Sequence, residues 1–242
     1  MSRQKAQELL CTRFGIELPY VKMGRIDSLH LFGDTELMIF AIYEHNANRW
    51  KRVLDIGANI GLHSILLHKM GYVVRAYEPD WMHYEHLLAN LDANHCKYVT
   101  PFMAAVHTAE GTSNFVRVHN NLTGNHLEGY KASYGPRETV LVPTVDCRKL
   151  WGWPELVKID SEGNEAELCS TMTVEDMRRM SCIVEVRSYS NAQDIFRHFS
   201  DIEVPMWSQK IDWARVTRFE DMPQHNREGT LFVGYKGPWD AE

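Results

Sequence analysis

Arg52-Val53-Leu54-Asp55-Ile56-Gly57-Ala58-Asn59-Ile60-Gly61 is the stretch from which the rest of the chain can be read. A short apolar run ends in a turn with two glycines, and a helix-like segment from Leu62 to Met70 follows, closed by Gly71. Tyr72 to Tyr77 reads as a second buried strand, stopped by Glu78-Pro79. Asp80 can cap a helix through Leu91, with Leu87, Leu88 and Leu91 facing inward. Val99 to Val106 is a third strand. Strands alternating with helices imply right-handed crossovers, so the pattern predicts a doubly wound α/β fold around a mostly parallel sheet.

Working outward, the alternation lapses from Gly111 to Val145. Asn114 to Val118 and Thr139 to Val145 are strand-like and are separated by a segment rich in Gly, Asn and Tyr. This predicts an inserted β-hairpin over about 111–146, beside the active site and outside the main sheet. The α/β rhythm resumes with Leu156-Val157-Lys158-Ile159-Asp160, a helix from about Glu165, and a strand from Cys182 to Val186. Ile195, Phe196 and Phe199 then share a helix, and Leu231 to Tyr235 form a late strand. Upstream, Ser2 can cap a helix to about Phe14, with Ala6, Leu9, Leu10 and Phe14 along one face. A second helix begins near Thr35, with Asp34 as its cap and Leu37, Phe40, Ala41 and Ile42 available for burial. The plan is an N-terminal helical appendage over 1–50 packed on an α/β domain over 51–242.

Bulk properties narrow the class. With 242 residues and 44% hydrophobic content the chain can bury one sizeable core. No apolar stretch approaches the roughly 20 residues of a membrane-spanning helix. The N-terminus lacks the apolar run of a signal peptide, so a cytoplasmic protein is expected. Five cysteines (Cys11, Cys96, Cys147, Cys169, Cys182) are scattered without a CxxC pair, which indicates neither a disulfide framework nor a zinc ribbon. The net charge of -6 argues against nucleic acid as a partner. The sequon Asn121-Leu122-Thr123 matters only in a secreted protein.

The first turn points to a nucleoside. In open α/β sheets ligands bind at the carboxyl ends of the strands, where helix N-termini offer N–H groups and small residues allow close approach. Glu78 ends the second strand 23 residues after Asp55, where an acidic residue takes up ribose hydroxyls. A dinucleotide fingerprint begun at Gly57 needs glycines at positions that hold Asn59 and Leu62. The glycine for pyrophosphate approach is therefore absent, which counts against a nicotinamide dehydrogenase. S-adenosylmethionine carries no phosphate and needs no such contact; its amino acid moiety can meet the turn and Asp55.

VLDIGANIGLHSILL, then RAYEPD, then LVKIDSEGNEAEL together resemble the FkbM family of methyltransferases, from about Arg52 to Val186. The KIDSEGNE block narrows the resemblance, since members show a KIDxEGxE pattern there. What the resemblance implies is a class I methyltransferase with a Rossmann-like, seven-stranded sheet and S-adenosyl-L-methionine as donor. The implied chemistry is O-methylation of sugar or natural-product hydroxyls. Implied cofactor contacts are Asp55, Gly57, Asn59, Gly61 and Glu78, with Ala58 in the same turn, and Ala104-Ala105 where the family meets adenine.

Lys158, Asp160 and Glu162 alternate along a strand end, so they share one face until the turn begins. Charges in an otherwise buried strand are costly unless paired or used. Methyl transfer to oxygen needs an aligned, water-free site, and a general base contributes roughly 10²–10⁴-fold. Asp160, Glu162 and His126 are the candidate bases. Asp160 and Glu162 are also the only metal ligands that suggest themselves, for a magnesium ion holding a vicinal diol. The plainer alternative is a structural ion pair between Lys158 and Glu162. Asn121 and Asn125 of the loop from Asn120 to His126 are candidates to read acceptor hydroxyls, as are Lys158 and Arg187; ordinary loop and strand-end chemistry is the alternative. The 12 histidines, including His83 and His86 on one helix face, read as solvated or hydrogen-bonded, and most of the seven tryptophans as packing.

The expected function is an O-methyltransferase acting on a sugar, glycan or similar polyhydroxylated small molecule. An RNA ribose 2′-O-methyltransferase and a catalytically inactive cofactor-binding partner subunit are the alternatives. Base amino methylation lacks its Asn/Asp-Pro-Pro-aromatic turn, because Ser161-Glu162-Gly163 stands there. The oligomeric state is left open.

Overall fold

The apolar runs of the alternating pattern are strands of one sheet, and the segments between them are the helices that cover it. The computed structural model describes residues 2–19, 22–23, 26–119, 124–130, 135–225 and 227–240. In chain order its elements are α1 (Arg3–Phe14), β1 (Lys22–Met23), β2 (Ile26–Asp27), α2 (Asp34–His45), β3 (Arg52–Ile56), α3 (Leu62–Lys69), β4 (Val73–Tyr77), α4 (Trp81–Ala93), β5 (Val99–Phe102), β6 (Ala105–His107) and β7 (Gly111–Val118). There follow β8 (His126–Leu127), β9 (Arg137–Asp146), β10 (Leu156–Ile159), α5 (Glu165–Ser170), α6 (Val174–Arg179), β11 (Ser181–Glu185), α7 (Tyr189–Asp201), β12 (Met206–Ser208), β13 (Ala214–Arg215) and β14 (Thr230–Val233).

The main sheet has the order β13-β12-β14-β11-β10-β3-β4-β5. Strands β5, β4, β3, β10 and β11 are mutually parallel, while β14 runs antiparallel between β11 and β12. Buried on both faces, these strands read as continuous apolar runs, and alternate residues feed opposite layers. Val53, Leu156 and Ile183 join the core under α2, α3 and α4. Their neighbours Leu54, Val157 and Val184 join the other core, under α5 and α7. The carboxyl ends of β3, β4 and β10 consequently meet at one edge.

Three details differ from the sequence expectation. The main sheet has eight strands where seven were expected, because the two-residue β13 pairs with β12 at the edge. The third strand is broken: β5 stays in the main sheet, and after Met103-Ala104 the chain enters a second sheet as β6. The expected hairpin of β7 and β9 is real, but β6 and β8 extend it to a four-stranded sheet of order β6-β9-β7-β8. Its small core, Ala105, Phe115, Leu127 and Val142, gives it an apolar face of its own. Helix boundaries fall close to expectation. Ser2 caps α1 by accepting from the Lys5 N–H at 3.3 Å, and Asp80 caps α4. Asp34 lies inside the first turn of α2, whose cap position is Gly33. No helix among the described residues is long and apolar enough to cross a membrane.

Candidate active site

The first turn is held from both sides. The Gly57 and Ala58 N–H groups both donate to the Tyr77 carbonyl, at 2.9 and 3.0 Å. The Asn59 N–H donates to Glu78 Oε2 at 2.8 Å and the Ile60 N–H to Asn59 Oδ1 at 2.7 Å. The Gly61 N–H donates to the Ala58 carbonyl at 2.9 Å. All five N–H groups are thus satisfied within the protein, and the turn is not the open cradle of donors expected from its sequence. Gly57 has φ +75°, and a Cβ there would lie 1.8 Å from the Asp160 carbonyl oxygen. The glycine is required by the neighbouring strand end, whatever ligand lies above it.

Asp55 sits beneath this turn with no exposure. It accepts from Ser64 Oγ at 2.6 Å and pairs with Lys158 Nζ at 3.2 Å. Lys158 also donates to the Gly57 carbonyl at 2.9 Å. The register explains the pairing, because Lys158 and Asp55 are partners across β10 and β3. Burial pulls the lysine pKa down, but the Asp55 and Asp160 carboxylates outweigh it and hold the ammonium charged. Two buried charges therefore neutralise each other below the turn and fix its carbonyl. Neither Asp55 nor Lys158 lines the two hollows that open above the turn.

The segment after β10 is a knot tied by Glu165. This fully buried carboxylate accepts from the Ser161 and Gly163 N–H groups at 3.1 and 3.0 Å and from Asn191 Nδ2 at 3.1 Å. Asn164 Nδ2 donates to the Val106 carbonyl at 3.1 Å, tying the knot to the second sheet. Glu162 takes a left-handed φ of +62°. At Gly163, with φ +136°, a Cβ would meet Tyr130 Cβ and its carbonyl oxygen at 3.0 Å.

The knot delivers Asp160 and Glu162 to one guanidinium. Arg187 Nη2 lies 2.6 Å from Asp160 Oδ1 and 2.8 Å from Glu162 Oε1, and it also pairs with Glu185. Burial lowers the arginine pKa, and the three carboxylates more than reverse that. Burial raises the Asp160 carboxyl, but Arg187 and Lys158 hold it far below the usual carboxylate range. Burial pushes Glu185 well up, with Arg187 only partly opposing and Asp160 adding to the rise. The two neighbouring carboxyls are thus pushed in opposite directions, Asp160 down and Glu185 up.

Two adjoining hollows open above this framework. The larger opens to solvent between Asn59, Glu78, His83, Asn125, Asp160 and Glu162. The smaller lies between Tyr77, Pro79, Ala104, Ala105, Phe115 and Leu127, and shares Gly57, Pro79, Phe115 and Ser161 with the first. Three carboxylates line the larger hollow, and no Lys or Arg side chain lines either among the described residues.

Comparisons with known proteins now bear on this geometry. Neither the protein-family models nor the curated proteins give a match. Among solved structures, the METTL16 MTase domain is similar, with a TM-score of 0.51 at 13% identity over 97% of this chain and 80% of that one. The N-terminal domain of human METTL16 in complex with SAH gives 0.47 at 14% identity, over 97% and 82%. A putative O-methyltransferase from Klebsiella pneumoniae gives 0.46 at 10% identity, over 96% and 88%. The fold is that of the class I methyltransferases.

In this methyltransferase fold, Gly57, Asn59 and Glu78 of the expected cofactor set line the larger hollow, and Ala104 and Ala105 the smaller. Ala58 and Gly61 shape the turn behind them. Asn125 reaches the wall, but its side chain is engaged: Nδ2 donates to Asp80 at 2.6 Å and Oδ1 accepts from the Val118 N–H at 2.9 Å. His126 does not join Asp160, because β8 buries it against β7 with Nδ1 2.8 Å from the Gly124 carbonyl oxygen. Asn121 lies outside the described residues. The proposed Lys158–Glu162 pair is not formed, since Lys158 turns to Asp55 and Glu162 to Arg187. Arg187 stands behind the carboxylates, outside the wall.

Magnesium has a poor seat here. Asp160 and Glu162 face a guanidinium, and the described residues contain no group of three or more His, Cys, Asp or Glu able to hold a metal ion. Sequence reasoning missed Glu185, Glu165, Asp80 and Phe115. Glu185 had one usable signal: it ends β11 next to the strand that carries Asp160.

Proposed function

We propose that this protein is an S-adenosylmethionine-dependent O-methyltransferase acting on a hydroxyl of a sugar or similar polyhydroxylated small molecule. The observation that carries the donor is the charge of the cleft. Three carboxylates line it without Lys or Arg among the described residues, and the turn has no spare N–H between residues 57 and 61. A pyrophosphate cofactor would be repelled there and find no donors. A cationic, phosphate-free nucleoside suits the same wall. Glu78 keeps lone pairs for a ribose diol, the apolar hollow of Ala104, Ala105, Phe115 and Leu127 suits a purine, and Asp160 with Glu162 suits the cationic end.

Bound S-adenosylmethionine supplies an electrophilic methyl group; the rest of the chemistry falls to the chain. Asp160 is held ionised so firmly that it is a weak proton acceptor. Its role is to orient the acceptor hydroxyl by accepting its hydrogen bond. Glu162, in the same wall, takes the proton as the oxygen–carbon bond forms and the sulfur–carbon bond breaks. Arg187 holds both carboxylates in place. The choice of a hydroxylated acceptor rests on this carboxylate pair and on the FkbM-like KIDSEGNE block.

Calorimetric titration with S-adenosylhomocysteine, with NAD as control, tests the reading. Micromolar binding of S-adenosylhomocysteine, weakened at least about tenfold by Glu78→Ala, is expected. No binding, or preference for NAD, would overturn it.

A further inference from the structure

His83 was expected to be a solvated or hydrogen-bonded histidine, yet only 4% of it is exposed. It is the third residue of α4, and its ring forms part of the wall of the larger hollow. Nδ1 lies 3.8 Å from Glu78 Oε1. Nε2 is buried without a hydrogen-bond partner among the described residues. A buried polar atom left unpaired is costly, so an orphan on a residue of a cavity wall calls for a ligand. No contact among the described residues explains it.

The chemistry of Glu78 says what that ligand atom is. Its carboxylate already accepts one N–H on each oxygen, from Asn59 and from Asp80. Its remaining lone pairs can take only donors, and ribose hydroxyls that donate there leave their own oxygens as acceptors. An N–H beside the carboxylate completes the set. We propose that His83 is a ligand-binding residue of this cleft, its Nε2–H donating to an oxygen of the ribose diol that Glu78 accepts from. The proposal rests on the nucleoside reading above and adds to it a second contact and a pH dependence.

The charged imidazole is the form that serves, with Nδ1–H toward Glu78 and Nε2–H toward the ligand. Burial lowers its pKa, and the Glu78 and Asp80 carboxylates outweigh burial and the opposing Arg117 guanidinium, so the net shift is upward. The amino end of α4 adds a further opposing field. Ligand binding to the protonated form raises that pKa again, and affinity must fall as pH rises through it.

The test is titration with S-adenosylhomocysteine at about pH 6 and about pH 8.5 for the wild type, His83→Leu and His83→Gln. Wild-type affinity should drop several-fold at the higher pH. His83→Leu should bind about tenfold more weakly at the lower pH. His83→Gln, whose amide N–H stands in for the imidazole, should keep most of the affinity without the pH dependence. Equal binding by the wild type and His83→Leu, or a deficit independent of pH, overturns the proposal while leaving the methyltransferase reading intact. A wild type that does not bind S-adenosylhomocysteine overturns both. Should His83→Leu not fold, NMR titration of the wild-type His83 ring decides: a pKa raised by the ligand supports the contact, and an unchanged one refutes it.

Discussion

At the residue scale, identity and role part company around the Lys158-Ile159-Asp160 run. Lys158, Asp160 and Glu162 alternate in sequence and suggested one shared face, but the lysine and the last carboxylate have different partners. Lys158 is turned under the first turn to Asp55, while Asp160 and Glu162 meet Arg187. Their division of labour makes a measurable difference. Glu162→Gln should lower methyl transfer by roughly 10²-fold, the contribution of a general base. A Glu162→Gln enzyme with unimpaired turnover would sink the assignment. At Gly57 the reason for a glycine also changed, from ligand approach to the Asp160 carbonyl oxygen, which would lie 1.8 Å from any Cβ placed there. Composition alone could not separate those reasons, because both ask for the same residue.

At the element scale, the loop after β10 behaves as one unit whose fastener is Glu165. The KIDSEGNE block drew attention to Asp160 and Glu162, yet its last acidic residue is the one buried in hydrogen bonds to residues 161, 163 and 191. Glu165→Ala should strip those donors of their partner and destabilise the protein by about 3 kcal/mol in urea denaturation. Because the loop also presents Asp160, activity should fall even at temperatures where the variant remains folded. A variant as stable as the parent would show that water replaces the carboxylate without cost. Burial raises the Glu165 pKa, so this fastener is not a simple ion pair. Strand and helix positions were legible here because period and caps are local signals. The break between β5 and β6 was not, since Val99 to Val106 is one apolar run and only its two different neighbours divide it.

At the scale of the whole molecule, opposed shifts set the pH profile of stability. Asp160 lies far below the usual carboxylate range, and backbone donors at Thr217 with the Arg218 side chain outweigh burial to hold Asp221 at about 2. Groups lowered in this way stabilise the fold above their unfolded values near 4 and lose that contribution as pH falls through the folded ones. Glu185 is raised, so its sign is opposite: its contribution is full below about pH 4 and is lost as pH rises through its folded pKa. Thermal melts should therefore show acid unfolding below about pH 4. Glu185→Gln should gain stability relative to the wild type on going from about pH 5 to about pH 8. A difference that stays constant over that range would mean Glu185 is ionised in the native state.

The sequence by itself determined the alternation of strands and helices, the first turn and Glu78 at the end of β4. These follow from apolar periodicity, turn residues and caps, all of which act over a few neighbours. Only the tertiary structure decided which charges face the cleft and which lie beneath it. Asp55 and Glu78 are both acidic strand-end residues, but one points under the turn to Lys158 and the other into the hollow beside His83. That choice is made by register between strands far apart in the chain and by burial on both faces of the sheet, neither of which leaves a local trace.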